Sequence, residues 1–82
     1  MNAEEARKIM MNFIESRQDE ADKILENIYD LIREKASIGL NEARFETKDV
    51  GLSYGFERYV LDVLIENGFE ISYCMSTYTI RW

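Results

Sequence analysis

Hydrophobic residues recur at intervals of three and four along the first half of the chain, which is typical of an amphipathic helix. The repeat runs through residues 3–38, a segment that contains neither Gly nor Pro. Asn2 can cap the start of this segment, and Gly39 can end it in a left-handed conformation. The pattern therefore predicts a long N-terminal helix, about 50 Å in length at a rise of about 1.5 Å per residue.

The middle of the predicted helix is polar, because Ala21 is the only apolar side chain in residues 15–23. Ser16 followed by Asp19 also resembles a capping box, the pattern that starts a new helix. Two alternatives stay open: one long helix with a polar centre, or two helices broken near Ser16. The absence of a helix breaker favours the continuous helix.

In the second half of the chain, apolar and polar side chains alternate with a period of two. Residues 43–47 alternate between apolar and polar side chains and predict a short strand. Residues 69–82 alternate in two runs around Met75-Ser76-Thr77, which predicts a β-hairpin. These strands can form one small three-stranded sheet.

A second helix is predicted between the strands, over residues 54–67, from an apolar stripe at helical spacing. Ser53 can cap its start, and Gly68 can end it. The chain is therefore expected to form a single α+β domain over residues 1–82, in the order α-β-α-β-β, with the sheet packed on the helices.

The composition restricts the classes of function. Sixteen acidic against ten basic residues give a net charge of −6, and no Lys/Arg cluster is present, which disfavours direct binding to nucleic acid. The chain has no His, and Cys74 is its only Cys. We therefore expect neither an enzyme nor a metal or cofactor site. No apolar stretch is long enough to span a membrane, and a cytoplasmic location is expected.

Three short segments carry a resemblance to known proteins. They are the helix start N-A-E-E-A-R, the helix end E-N-G-F and the closing strand Y-T-I-R-W. In this order of elements they resemble small phage-encoded α/β proteins, often described as virion or hypothetical proteins. The resemblance implies a phage source, this fold, and a location in the host cytoplasm or the virion. It implies no catalytic residues.

The N-terminal helix carries more large apolar side chains than a small sheet can cover. Several of them follow the alternating spacing of four and three that is typical of a helix-pairing seam. Left unpaired, they would form an exposed apolar patch of the kind that soluble monomers avoid. We therefore predict self-association, most simply as a dimer, through Met10, Phe13, Ile14, Arg17 and Ala21.

Four acidic side chains recur on one face of the same helix: Asp19, Asp22, Glu26 and Asp30. Carboxylates can hold a hard cation, but one helix rarely supplies enough converging ligands, and a solvated face is the better interpretation. Like charges at this spacing destabilise the helix slightly, which leaves room for a basic partner surface. A protein that itself binds nucleic acid would be such a partner, and the chain would then act as its inhibitor.

Gly51 and Gly55 lie in the segment leading into the second helix, where a helix N-terminus can receive an anion. Their spacing matches neither a Walker loop nor a dinucleotide fingerprint, so loop geometry is the better interpretation. The preferred hypothesis is a non-enzymatic module that binds a host or virion protein. The alternative is an anti-defence protein that sequesters a small ligand or a nucleotide, with Tyr54 and Arg58 as the candidate contacts.

Overall fold

The computed structural model describes residues 1–82 and has an α+β fold, as the sequence predicts. Its elements in chain order are α1 (Ala3–Ser16), α2 (Gln18–Ala36), β1 (Glu42–Phe45), α3 (Thr47–Val50), α4 (Glu57–Glu66), β2 (Glu70–Cys74) and β3 (Thr77–Arg81). The molecule is elongated, with principal extents of 46 × 23 × 23 Å. Its length reflects the two consecutive N-terminal helices.

The N-terminal helical region is interrupted at Arg17 and forms two helices instead of one. Arg17 has φ −131° and ψ 35°, outside the helical region. Its N–H donates to the carbonyl of Ile14 at 3.0 Å, and its carbonyl accepts from the N–H of Ala21 at 3.2 Å. Ser16 Oγ donates to the carbonyl of Phe13 at 2.7 Å, which replaces the helical bond that the break removes. The preference for one continuous helix is therefore wrong, and the alternative with a break near Ser16 is correct.

The predicted cap at Asn2 and the predicted glycine stops after the two long helical segments are confirmed. Asn2 Oδ1 accepts from the N–H of Glu5 at 2.9 Å and caps α1. Gly39 and Gly68 have φ of +85° and +92°, and each lies just beyond the last turn of a helix. Only glycine adopts this left-handed conformation without steric cost, which explains why both helical segments end there.

The segment between β1 and α4 differs from the prediction. The predicted strand over residues 43–47 ends at Phe45, and Thr47 begins the short helix α3. Glu46 and Asp49 close this turn by a reciprocal capping box, a local signal that the alternation does not reveal. Ser53 does not cap α4, which begins at Glu57 instead of at residue 54.

The three strands form one antiparallel sheet in the order β1-β3-β2, and the predicted hairpin is confirmed. In the central strand, Ile80 pairs with Ala43 on one side and Ile71 on the other. This row faces the helices, where α2 packs on β1 and α4 packs on β2. The opposite face of the sheet is open and carries polar side chains such as Ser72 and Thr79.

The core lies between the sheet and the helices. Its largest fully buried side chains are Phe45, Phe56, Ile14, Ile28, Leu64, Ile80 and Val60. No polar or charged residue is buried there. The hydrophobic face of every helix except α1 is thus covered along most of its length.

Candidate protein-binding surfaces

Helix α1 leaves most of its surface in solvent. Of its 14 residues only Ile14 is buried, and residues 1–9 are all exposed. Ile9 is 57% exposed and Phe13 is 37% exposed. These two side chains lie one turn apart on the same face of the helix. An isolated helix of this length is only marginally stable in water, so α1 depends on the surfaces that it contacts.

The last turns of α1 are held by the segment that precedes α4. The ring centroids of Phe13 and Phe56 lie 5.3 Å apart. The guanidinium of Arg17 lies 5.5 Å from the Phe13 ring centroid, as in a cation–π contact. Ile14 reaches the core beside them. These contacts anchor one end of α1 and leave its first two turns free to meet a partner.

Of the five residues predicted to mediate self-association, the structure buries two and leaves three at least partly exposed. Ile14 and Ala21 are fully buried in the core of the single chain. The loop before α4 and α4 itself cover the helices further than the sequence suggested, so these two residues cannot meet a second copy. That part of the prediction is wrong. Met10, Phe13 and Arg17 keep exposed or partly exposed surface, and self-association through them stays a prediction.

The acidic row of α2 comprises four exposed side chains, Asp19, Asp22, Glu26 and Asp30. Gln18 Nε2 donates to Asp22 at 2.8 Å, and Arg33 forms an ion pair with Asp30 at 2.6 Å. No group of three or more acidic or cysteine side chains is close enough to hold a metal ion. The row is therefore a solvated acidic surface that faces away from the core.

A groove of about 360 Å³ lies beside the acidic row, between α2 and the turn after α3. The buried side chains of Ile24 and Val50 form its floor, and exposed Asp19 and Glu20 stand at its edge. Lys23 is the only basic side chain that lines it. An apolar floor with acidic side chains at its edge suits the alkyl stem and charged head of a Lys or Arg.

The structure brings Tyr54 and Arg58 together with Met10 on an open concavity of about 340 Å³. Glu57 also lines this concavity. Arg58 Nε already lies 3.3 Å from the carboxylate of Asp62. An anionic ligand would therefore meet the negative charge of Glu57 and a guanidinium that already has a partner, which disfavours a phosphate there.

Glu57 links α4 to the central strand. The hydroxyl of Tyr78 donates to Glu57 Oε2 at 2.8 Å. Burial, together with the hydrogen bond to Glu57 and the negative charge of Glu57, raises the pKa of Tyr78 to about 12. This hydrogen bond joins a neutral phenol on the central strand to a carboxylate on α4.

One surface was missed by the sequence reasoning. Strand β2 forms an edge of the sheet, and Tyr73 on it is 60% exposed. Ile65 on α4 is 56% exposed. The alternation in residues 69–82 contained a signal for this surface, because β2 carries only one charged side chain, Glu70, whereas exposed edge strands are usually protected by charges.

Comparison with known proteins adds no function to these surfaces. No helix of the structure combines the length and the apolar character that crossing a membrane requires. No protein-family model matches the chain, and neither the curated proteins nor the solved structures contain a significant match to it.

Proposed function

We propose that this chain is a non-enzymatic protein-binding module that docks on another protein through α1. The observation that carries the proposal is the exposure of α1, whose single buried residue is Ile14. Ile9 and Phe13 are spaced as the anchors of an amphipathic helix that inserts into a hydrophobic groove of its partner. Covering these side chains would stabilise a helix that is marginal by itself.

The acidic row gives the partner its chemical character. Asp22, Glu26 and Asp30 face solvent on α2, and the groove beside them fits a Lys or Arg side chain. A partner with basic side chains around a hydrophobic groove satisfies both surfaces and would associate faster at low ionic strength. A protein that binds nucleic acid carries basic side chains of this kind. The resemblance to small phage proteins favours a target in the host cell or the virion.

The test of the α1 surface compares two substitutions that add the same charge. Ile9→Glu removes an exposed apolar anchor, whereas Asn12→Glu changes an exposed polar residue of the same helix. A protein captured by the wild type, then purified and titrated by calorimetry, should bind the Ile9→Glu variant at least about tenfold more weakly, a loss of about 1.4 kcal/mol. Equal binding by the two variants would show that α1 is not the docking element.

The test of the acidic row compares charge reversal with charge removal. Replacing Asp22, Glu26 and Asp30 by Lys should weaken binding more than replacing them by Asn, Gln and Asn, because the first set reverses the charge and the second only removes it. The loss should appear mainly in the association rate and shrink at high salt. An association rate that is the same in both sets would exclude a basic partner surface over the row.

A small-ligand function is the second candidate, because Tyr54 and Arg58 do share a concavity. A ligand that binds the folded state raises the melting temperature by mass action. A nucleotide that raises the melting temperature of the wild type, but not of Tyr54→Ala or Arg58→Ala, would favour this function over protein docking. If nucleoside monophosphates, nucleoside diphosphates and cyclic dinucleotides all leave the melting temperature unchanged, the nucleotide-binding function is excluded.

A further inference from the structure

The bend between α1 and α2 has little support from the local sequence. Arg17 is the single residue between the two helices, and it is neither glycine nor proline. No side chain caps the start of α2. Ser16 could supply a cap, but its hydroxyl donates to the carbonyl of Phe13 in the preceding helix. Residues 3–36 could therefore form one helix if neighbouring residues alone decided the conformation.

Packing on a distant segment holds the bend. The Phe13 ring lies so close to Gly55 that a Cβ atom built there would be 3.0 Å from Phe13 Cε1. The ring centroid of Phe56 lies 5.3 Å from that of Phe13, and the next residue of α1, Ile14, is fully buried. Residues 1–9 are all exposed. The direction of α1 is therefore fixed at its last turns, by contacts with a loop about forty residues further along the chain.

We propose that α1 is a hinged arm that the contact of Phe13 with Gly55 holds bent, and that release of this contact joins α1 and α2 into one continuous helix. Helix α2 is already formed, so its extension through Arg17 requires no new nucleus, whereas a separate helix of 14 residues is marginal in water. The N–H of Arg17 donates to the carbonyl of Ile14 in the bent state. In the continuous helix it donates to the carbonyl of Phe13, in the regular helical pattern. The hinge thus has two discrete states.

The bent state restrains the docking proposed for α1, and this consequence rests on that proposed function. The domain itself buries Ile14 and leaves only 37% of Phe13 exposed. In the continuous helix both side chains leave the core and join Ile9 as anchors for a partner. Such a partner shifts the hinge by the difference between its affinities for the two states. Its apparent affinity is reduced in proportion to the fraction of chains that are bent.

Distances between spin labels in the free chain test the hinge. Cys74 is the only cysteine, so Cys74→Ser leaves Arg7→Cys and Asp30→Cys as the two labelling sites. Both sites are exposed, one on each helix. In a continuous helix these positions lie about 35 Å apart, at a rise of about 1.5 Å per residue, and the bent chain holds them closer together. Pulsed electron spin resonance should show mainly the shorter distance when no further substitution is present.

Two substitutions in different parts of the hinge should move the population towards the longer distance. Gly55→Ala fills the space that Phe13 occupies. Ser16→Ala leaves the loop untouched and removes the hydroxyl bond to the Phe13 carbonyl at 2.7 Å. Ser37→Ala is the matched control, because Ser37 donates in the same way to the carbonyl of Glu34, at 2.7 Å, at the end of α2. The control should leave the distance unchanged, and all three variants should retain their helical circular dichroism.

Three outcomes would overturn the hinge. The first is an unchanged, shorter distance in both Gly55→Ala and Ser16→Ala. The second is a broad distance distribution with a loss of helical circular dichroism, which would show that released α1 unfolds instead of extending α2. The third is an equal lengthening by Ser37→Ala and Ser16→Ala, which would show that the effect does not arise at the hinge. All of these measurements use the free chain, so they are independent of the proposed docking function, which fails separately if Ile9→Glu and Asn12→Glu bind the captured protein equally.

Discussion

The ring of Phe13 lies against the backbone of Gly55, so close that a Cβ atom built on Gly55 would lie 3.0 Å from Phe13 Cε1. Gly55 also has φ of +97°, a backbone conformation that residues other than glycine rarely adopt. This residue therefore has two roles. It turns the chain into α4, and it leaves the space in which the end of α1 docks.

Gly55→Ala should reduce the free energy of unfolding by about 1–3 kcal/mol, measured by urea denaturation. Gly68→Ala is the control, since Gly68 has φ of +92° and nothing within 4 Å of its Cβ position. The loss of unfolding free energy in Gly68→Ala measures the backbone cost alone. The additional loss in Gly55→Ala measures the contact with Phe13. The excess should vanish when both glycine variants are compared in a Phe13→Ala background. Equal losses at the two glycines would contradict the close contact.

The attachment of α1 to the core can be tested at Ile14, which is fully buried. Ile14→Val should cost about 0.5–1.5 kcal/mol of unfolding free energy, because it removes one buried methyl group from a packed site. Met11→Ala, at an exposed position of α1, should change stability less than Ile14→Val does. If Ile14→Val changed the free energy of unfolding as little as Met11→Ala, α1 would not be packed on the domain in solution.

The hydrogen bond between Tyr78 and Glu57 predicts an alkaline loss of stability. The pKa of Tyr78 is raised to about 12 in the folded chain, from 10.0 as its ordinary value. The neutral phenol is thus favoured by folding, and its contribution is complete below pH 10 and lost as the pH rises towards 12. Chemical denaturation at a series of alkaline pH values should show this decline.

Glu57→Gln should lower the pKa of Tyr78, because it removes the adjacent negative charge and weakens the hydrogen bond. The change should appear as an earlier rise of tyrosinate absorbance in a pH titration, absent when Tyr78→Phe is added. Asp62→Asn, on the same helix but without a contact to Tyr78, should leave the titration unchanged. An identical curve for Glu57→Gln and the wild type would argue against the bond.

The turn between β2 and β3 is strained. Met75 and Ser76 have φ of +50° and +68°, although neither is glycine. Both values fit the two-residue turn that Asn-Gly prefers, and Met75 is 92% exposed, so no packing requires it. Met75→Asn with Ser76→Gly should raise the free energy of unfolding by about 1 kcal/mol. Thr77→Gly, inside the strand, should lower it, and a gain there too would mean that the turn is not the source of the effect.

Sequence alone determined the elements whose signals are local. The alternation in residues 69–82 gave the hairpin, and Gly39 and Gly68 gave the helix ends, because a period of two and a left-handed glycine each depend on neighbouring residues only. The exposure of the acidic row followed from helical spacing in the same way. The capping box of Glu46 and Asp49 was also local and could have been read from the sequence.

Tertiary structure decided the features that depend on residues far apart in the chain. The break at Arg17 accompanies the contact of Phe13 with Gly55 and Phe56, about forty residues away, and the polar stretch around it is compatible with either a bent or a continuous helix. The burial of Ile14 and Ala21 depends on the same docking. The open edge of β2 follows from the strand order, which no single strand specifies. Periodicity shows that a side chain is suited to burial, but only the packing of distant elements decides whether the chain itself covers it or leaves it for a partner.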